Sequence, residues 1–144
     1  MWNEIKAEGD INNLMERFGY FHDSCIKEMR YISGAFVDRD LSMHAINNCR
    51  NLRIIFQKQS INPMVIELEF SNLIKLDLEP NDDNYTCEIL DVSMFIENGH
   101  IYWGDSAWFA LKRNDYQGTW LCSKNARWRV ADKYIGKEEV YIAK

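Results

Sequence analysis

The sequence predicts an α+β protein that is mainly β, with one antiparallel sheet and a short N-terminal helix packed on it. Two observations favour this fold class. Apolar and polar residues alternate through most of the chain, and the connections between the alternating runs are too short for parallel crossovers. A meander or a Greek key fits these connections. The 144 residues suffice for a single domain, 1–144, with its own hydrophobic core.

The helix is predicted over residues 10–18. Asp10 precedes the apolar run and is a suitable N-cap, because its carboxylate can accept hydrogen bonds from free N–H groups of the first turn. Gly19 suits the left-handed conformation in which many helices end. The apolar residues at helical spacing are Ile11, Leu14, Met15 and Phe18.

Strands are predicted where apolar residues recur at every second position. Residues 51–58, 64–70 and 74–78 follow this rule and read as half-buried strands. Glu67 and Glu69 alternate with the apolar residues of their run, so we expect them on the face turned away from the core. Further strands are expected at 24–36, 118–122, 126–130 and 140–142, with a surface loop at 80–84.

Asn98-Gly99 between two alternating runs predicts a β-hairpin with Glu97 facing His100. This register defines two faces. One is an apolar core face, made by Leu90, Val92, Met94, Ile96, Ile101 and Trp103. The other is a mixed face that solvent or a ligand can reach, made by Asp91, Ser93, Phe95, Tyr102 and Ser106.

Composition excludes several functional classes. Seventeen basic residues against 22 acidic ones give a net charge of −5, which disfavours nucleic acid or an anionic membrane as the partner. No apolar stretch approaches the roughly 20 residues of a membrane span, and the first residues lack the features of a secretory signal. We therefore expect a cytoplasmic protein with its four cysteines reduced.

Motifs for metals and common cofactors are missing from the sequence. The cysteines have no paired spacing, and the three histidines have no zinc-binding spacing, so we expect no metal site. Glycine-rich phosphate loops and nucleophile elbows are also absent, and we expect no cofactor.

Two Asp-Ser pairs, Asp23-Ser24 and Asp105-Ser106, each follow aromatic residues. One hypothesis places Asp23 and Asp105 on neighbouring strands, where they bound one polar pocket together with His22 or His44. The alternative is structural, because Asp and Ser at such junctions often bond to nearby backbone. His22, Asp23 and Ser24 do not form a triad among themselves, since neighbouring residues in a strand face opposite sides.

Tryptophan and arginine provide the remaining candidates. Trp108 falls on the mixed face and is the best candidate for an exposed anchor, although strands also use aromatic residues for packing. Arg127 and Arg129 flank Trp128 and form a basic pair. Such a pair can clamp an anion, or it can simply lie on a solvated edge strand.

The segment from Phe18 to Glu28, followed by Tyr31 and Ser33-Gly34, resembles a group of small bacterial proteins in which a short helix leads through Phe-His-Asp into a sheet. Similar segments occur in immunity proteins of polymorphic toxin systems. The resemblance implies a compact α+β or β-rich fold and neutralisation of a toxin by binding. It supplies no catalytic residue.

The favoured function is therefore a non-enzymatic protein-binding module of the immunity type, steered by its negative charge to a basic toxin domain. Its candidate contacts are Asp91, Tyr102, Trp108 and the Asp82-Asp83 loop. A small-ligand or hydrolytic site is the alternative, built on His22, Asp23, Asp105, Ser106 and Cys25. A structural or regulatory subunit that pairs through a free edge strand is a third possibility.

Overall fold

The computed structural model describes residues 1–142. Its elements confirm the predicted mainly β, antiparallel α+β fold. In chain order they are β1 (Asn3–Ile5), α1 (Glu8–Arg17), β2 (Ser24–Ile32), β3 (Phe36–Val37), β4 (Met43–His44), β5 (Asn51–Lys58), β6 (Val65–Asp77), β7 (Ser93–Glu97), β8 (His100–Gly104), α2 (Trp108–Leu111) and β9 (Trp120–Val130).

Seven strands form one sheet in the order β2-β5-β6-β9-β8-β7, with β1 pairing β9 beyond the end of β8. β3 and β4 form a separate two-stranded ribbon. The two ends of the sheet are linked, because Ile89, in the segment before β7, forms an isolated antiparallel bridge with Ser24 at the start of β2. The Ile89 N–H donates to the Ser24 carbonyl at 2.7 Å, and the Asp23 N–H donates to the Ile89 carbonyl at 3.0 Å.

The core lies between the concave face of the sheet and α1. Phe21, Phe56 and Trp103, all fully buried, meet there with ring centroids 5.0 to 6.2 Å apart. The helix begins two residues earlier than predicted, at Glu8. Asp10 caps it from inside the first turn, where its carboxylate accepts the N–H groups of Lys6 and Ala7. Gly19 follows the helix with φ +59°, as the sequence predicts.

Two predicted strand boundaries are wrong. The strands predicted at 64–70 and 74–78 are parts of one continuous strand, β6, which has a bulge between Leu73 and Lys75. Asn72 there has φ 53°, and the bulge turns Leu73 inward and leaves Ile74 exposed. The strands predicted at 118–122 and 126–130 likewise lie on one strand, β9, which begins at Trp120.

The hairpin has the predicted register, with Glu97 opposite His100 and Ser93 opposite Gly104. The β7–β8 ladder ends at the pair Ser93 and Gly104. Before Ser93 the chain turns away, and Ile89 pairs with Ser24 of β2 instead. Ile89 is therefore buried, whereas Leu90, predicted on the core face, is 65% exposed.

Glu67 and Glu69 are buried on the convex face of the sheet, although the sequence places them away from the core. Arg53 and Arg127 donate to Glu69 at 2.7 and 2.6 Å, and Arg129 donates to Glu67 at 2.7 Å. The Trp2 indole lies over these guanidinium groups, 4.3 to 5.7 Å from their central carbons. We call the three arginines, two glutamates and Trp2 the arginine–glutamate network.

Arg127 and Arg129 thus clamp carboxylates of their own chain. The prediction of a solvated edge strand is wrong, because β9 lies between β6 and the strands β1 and β8. The anions come from β6, the neighbouring strand, where Glu67 pairs with Arg129 and Glu69 pairs with Arg127 across the ladder.

Residues 140–142 do not form the predicted strand. The N–H groups of Val140 and Tyr141 donate to the two carboxylate oxygens of Glu28, at 2.7 and 3.1 Å. The Tyr141 hydroxyl donates to Glu67. The segment is therefore held against the convex face by side chains, which satisfy the N–H groups that a strand partner would otherwise bind.

The arginine–glutamate network should make the free energy of unfolding decrease at acid pH. Burial alone would raise the pKa of Glu69, but hydrogen bonds from Arg127 and Arg53 outweigh it and lower that pKa below its ordinary value. A lowered native pKa adds stability above the unfolded value, near 4.5, and this stability is lost as the pH falls through the native value. We expect urea unfolding to show a free energy that declines below about pH 4.5, with a shallower decline in Glu69→Gln. Equal slopes in both proteins would contradict this origin of the pH dependence.

Candidate functional site

The strongest charge feature is the segment 77–91, which we call the acidic segment. It contains six carboxylates and no lysine or arginine, whereas the other 129 residues carry 16 carboxylates against 17 basic side chains. The chain's net negative charge is therefore concentrated in this one segment. It lies on the surface, and of its 15 residues only Ile89 is buried.

Local hydrogen bonds fold the acidic segment into a turn. The Asp82 carboxylate accepts the Asn84 N–H at 2.8 Å, and the Tyr85 N–H donates to the Asp82 carbonyl. The Glu79 N–H donates to the Thr119 hydroxyl at 3.0 Å, which ties the segment to the loop before β9. The predicted surface loop at 80–84 is thus confirmed, and Asp82 and Asp83 are both exposed.

His22 lies beside the end of the acidic segment. Its Nδ1 is 2.9 Å from the Leu90 carbonyl, and its Nε2 is 3.5 Å from the Asp23 carboxylate. The bond to Leu90 raises the pKa of His22, and the charge of Asp23 raises it further. Desolvation opposes this rise, and the charges of Glu88 and Asp91 add to it. His22 and Asp23 face the same side because Asp23 has φ 60° and precedes the strand.

Asp105 and Asp91 each hold a loop. Asp105 accepts the Thr119 N–H at 3.1 Å and the Tyr116 hydroxyl, while Asp91 accepts the Ala107 N–H at 2.8 Å. Ser106 accepts the Trp108 N–H at 3.2 Å, at the start of α2. Asp105 also lines two adjoining cavities of about 390 and 520 Å³ beneath the acidic segment.

The structure does not bring the predicted polar pocket together. β2 and β8 are not neighbours in the sheet, and Asp23 lines neither of the two cavities that Asp105 lines. Asp23 lines a different cavity, of about 600 Å³, together with Cys25. His44 lies apart in the β3–β4 ribbon, where it is 2.7 Å from Asp38.

Cys25 and Ser24 have surroundings that differ from those of a nucleophile. Burial raises the pKa of the Cys25 thiol, and the neighbouring Cys87 raises it further, whereas an activated thiol requires a lowered pKa. Ser24 is buried, and its hydroxyl donates to the Phe21 carbonyl at 2.6 Å. This bond matches the structural alternative for the first Asp-Ser pair.

Trp108 is 59% exposed, but it lies on the one-turn helix α2 and not on a strand. Tyr102, the other predicted aromatic contact, is half-buried and stacks on Phe95 with ring centroids 5.1 Å apart. Phe109 fills the mixed face beside them and lies so close to Gly104 that a Cβ there would be 2.4 Å from its ring. Packing against Phe109 therefore occupies most of the face that was predicted to meet solvent or a ligand.

A second exposed surface, the β3–β4 ribbon, is not predictable from the sequence pattern. Leu41, Met43 and Ile46 are 72 to 82% exposed there, and Phe36 stacks on the His44 ring at 4.4 Å. Each ribbon strand has only two residues. Alternation this short cannot be recognised in a sequence, which explains why the ribbon was not predicted.

Within residues 1–142, no three His, Cys, Asp or Glu side chains are grouped so that they could hold a metal ion. No helix in the same range is both long and apolar enough to cross a bilayer. Comparison with protein-family models, curated proteins and solved structures finds no match for this chain.

Proposed function

We propose that this protein is a non-enzymatic binding module of the immunity type, which neutralises a basic toxin domain by docking it on the acidic segment. The observation that carries the proposal is the concentration of the net negative charge in residues 77–91. A compact charged surface of this kind raises the rate of association with an oppositely charged partner.

Exposed aromatic and apolar side chains beside the carboxylates supply contact area. Tyr85 and Leu90 of the acidic segment are 75 and 65% exposed. Trp108 is 59% exposed and follows Ala107, whose N–H donates to the Asp91 carboxylate at the end of the acidic segment. Tyr and Trp are frequent anchors of interfaces because each combines a large apolar area with a polar group.

The surface is ordered before any partner arrives, which reduces the entropy lost on binding. Asp82 closes the turn through Asn84, and Glu79 is tied to Thr119 through its backbone. Asp83 and the Glu79 carboxylate make no hydrogen bond or ion pair with other side chains of residues 1–142. These two carboxylates are therefore free to meet basic groups of a partner.

Charge reversal at these free carboxylates tests the proposal. In Glu79→Lys with Asp83→Lys, we expect association with the toxin domain encoded beside the gene to slow at least about tenfold at low salt. Protection of cells that co-express the toxin should fall with it. The measurement is the association rate by surface plasmon resonance over a series of ionic strengths, because screening should diminish the difference.

The matched control is Glu138→Lys with Glu139→Lys, an exposed carboxylate pair outside the acidic segment. It changes the net charge by the same amount, so we expect a much smaller effect if the position of the charge matters. Equal slowing in both double variants would reject the acidic segment as the docking surface. Absence of binding and of protection by the unaltered protein would reject the immunity function itself.

A further inference from the structure

A further cavity of the described residues lies on the convex face of the sheet, beside Trp120, whose ladder partner is Asp77 of the acidic segment. Its volume is about 870 Å³, which is within the range of small-molecule sites. The floor is made by Tyr102, Trp120 and Lys75 on three adjacent strands, β8, β9 and β6. The wall is the segment 110–115. It comes directly after Phe109, whose ring packs with those of Phe95, Tyr116 and Trp120 in an aromatic cluster.

Two lysines of this cavity have no anionic partner. Within residues 1–142, no carboxylate lies within 4 Å of the ammonium group of Lys75 or Lys112. Arg113, the third basic residue of the lining, is already paired through both of its terminal nitrogens with Glu97. The two lysines therefore supply the unneutralised positive charge, in a protein whose net charge is negative.

An aromatic surface lies directly beside this charge. The Lys75 ammonium is 5.2 Å from the centroid of the Trp120 ring, and the same ring stacks on Phe109 with centroids 5.3 Å apart. Phe109 is fully buried and holds the indole in place. An anion bound by Lys75 is thus adjacent to a rigid, flat apolar surface on which an aromatic ring can stack.

We propose that this cavity binds a nucleotide-like ligand, an aromatic ring joined to a phosphate group. The phosphate is placed between Lys75 and Lys112, and the ring lies on Trp120. Displacing the flexible Lys75 side chain from the indole towards the phosphate frees the ring face for stacking. The proposal is independent of the toxin-binding function, because it uses none of the residues of the acidic segment.

Asp115 allows the charge requirement to be tested in both directions. It is the one carboxylate in the lining and lies at the end of the 110–115 wall. Its negative charge opposes an incoming phosphate. Removing a lysine should therefore weaken phosphate binding, whereas removing the charge of Asp115 should strengthen it.

The experiment is calorimetric titration of the full chain with AMP, adenosine and ribose 5-phosphate at low salt. We expect AMP to bind with a Kd below about 1 mM, more tightly than either of its parts. Lys75→Gln and Lys112→Gln should each weaken AMP binding by at least about fivefold, and Asp115→Asn should tighten it. The control is Lys133→Gln, because Lys133 also lies over an aromatic ring, that of Tyr134, but does not line this cavity.

Each other outcome overturns a stated part of the proposal. Absence of AMP binding, or equal weakening by Lys133→Gln, would reject the site. Equal affinity for AMP and ribose 5-phosphate would reject the stacking surface, and equal affinity for AMP and adenosine would reject the phosphate position. Circular dichroism of the variants should be unchanged, because neither Lys75 nor Lys112 is buried.

Discussion

Glu67→Ala is expected to lower the free energy of unfolding by about 3 kcal/mol. Glu67 is 1% exposed and accepts from Arg129 and from the Tyr141 hydroxyl, so its removal leaves a guanidinium and a hydroxyl without their acceptor. The expected value lies at the low end of the range for broken buried pairs. The reason is that the side chains of Arg129 and Arg53 are 30 and 29% exposed and can regain some water.

Urea denaturation followed by tryptophan fluorescence measures this effect. Asp77→Ala is the matched control, since Asp77 is an exposed carboxylate on the same strand, β6, and its loss should cost less than about 0.5 kcal/mol. Glu67→Gln should fall between the two, because the amide oxygen still accepts a hydrogen bond but carries no charge. If Glu67→Ala were no more destabilising than Asp77→Ala, the arginine–glutamate network would not be what stabilises the convex face.

Phe109→Ala is expected to destabilise the protein by about 3–5 kcal/mol. The Phe109 ring is fully buried and packs against the rings of Phe95, Tyr116 and Trp120, with centroids 5.2 to 5.9 Å away. Its removal leaves a cavity over Gly104 that these large rings fill only in part. Phe109 is the buried residue that anchors α2. Its loss should therefore also free Trp108 and the 110–115 wall from their fixed positions.

Leu111→Ala is the control on the same helix, because Leu111 is 76% exposed and should change stability by less than about 0.5 kcal/mol. Thermal unfolding by calorimetry and the near-ultraviolet circular dichroism of the aromatic cluster are the two readouts. A Phe109→Ala variant with unchanged stability and an unchanged aromatic signal would mean that α2 is held by other contacts.

The features that depend only on residues adjacent in the sequence were predictable from the sequence. Asn98 and Gly99 adopt positive φ values of 52° and 76°, which define the tight hairpin turn and hence the register of β7 with β8. Gly19 likewise ends α1 through its own left-handed conformation. Two-residue alternation identified β5 and most of β6 in the same way, since side-chain direction along a strand follows from backbone geometry alone.

The candidate site was predictable only in part. The acidic loop follows from composition and local turn residues, and it is found. Trp108 is exposed as predicted, but on the helix α2 and not on the strand face from which its exposure was inferred. The grouping of His22 and Asp23 with Asp105 is not found, because it required knowing which strands are neighbours. The cavity beside Trp120 was not foreseen, since its lysines lie 37 positions apart and meet only across the folded sheet.

By itself, the sequence determined the fold class, the helix, the hairpin and the concentration of negative charge in residues 77–91. Only the tertiary structure decided which polar side chains of the convex face are buried. Glu69 is buried because arginines 16 and 58 positions away donate to it, and Ile89 replaces Leu90 in the core because it pairs with Ser24. The physical reason is that backbone conformation depends on a few adjacent residues, whereas burial of a charge depends on partners that only folding brings within bonding distance.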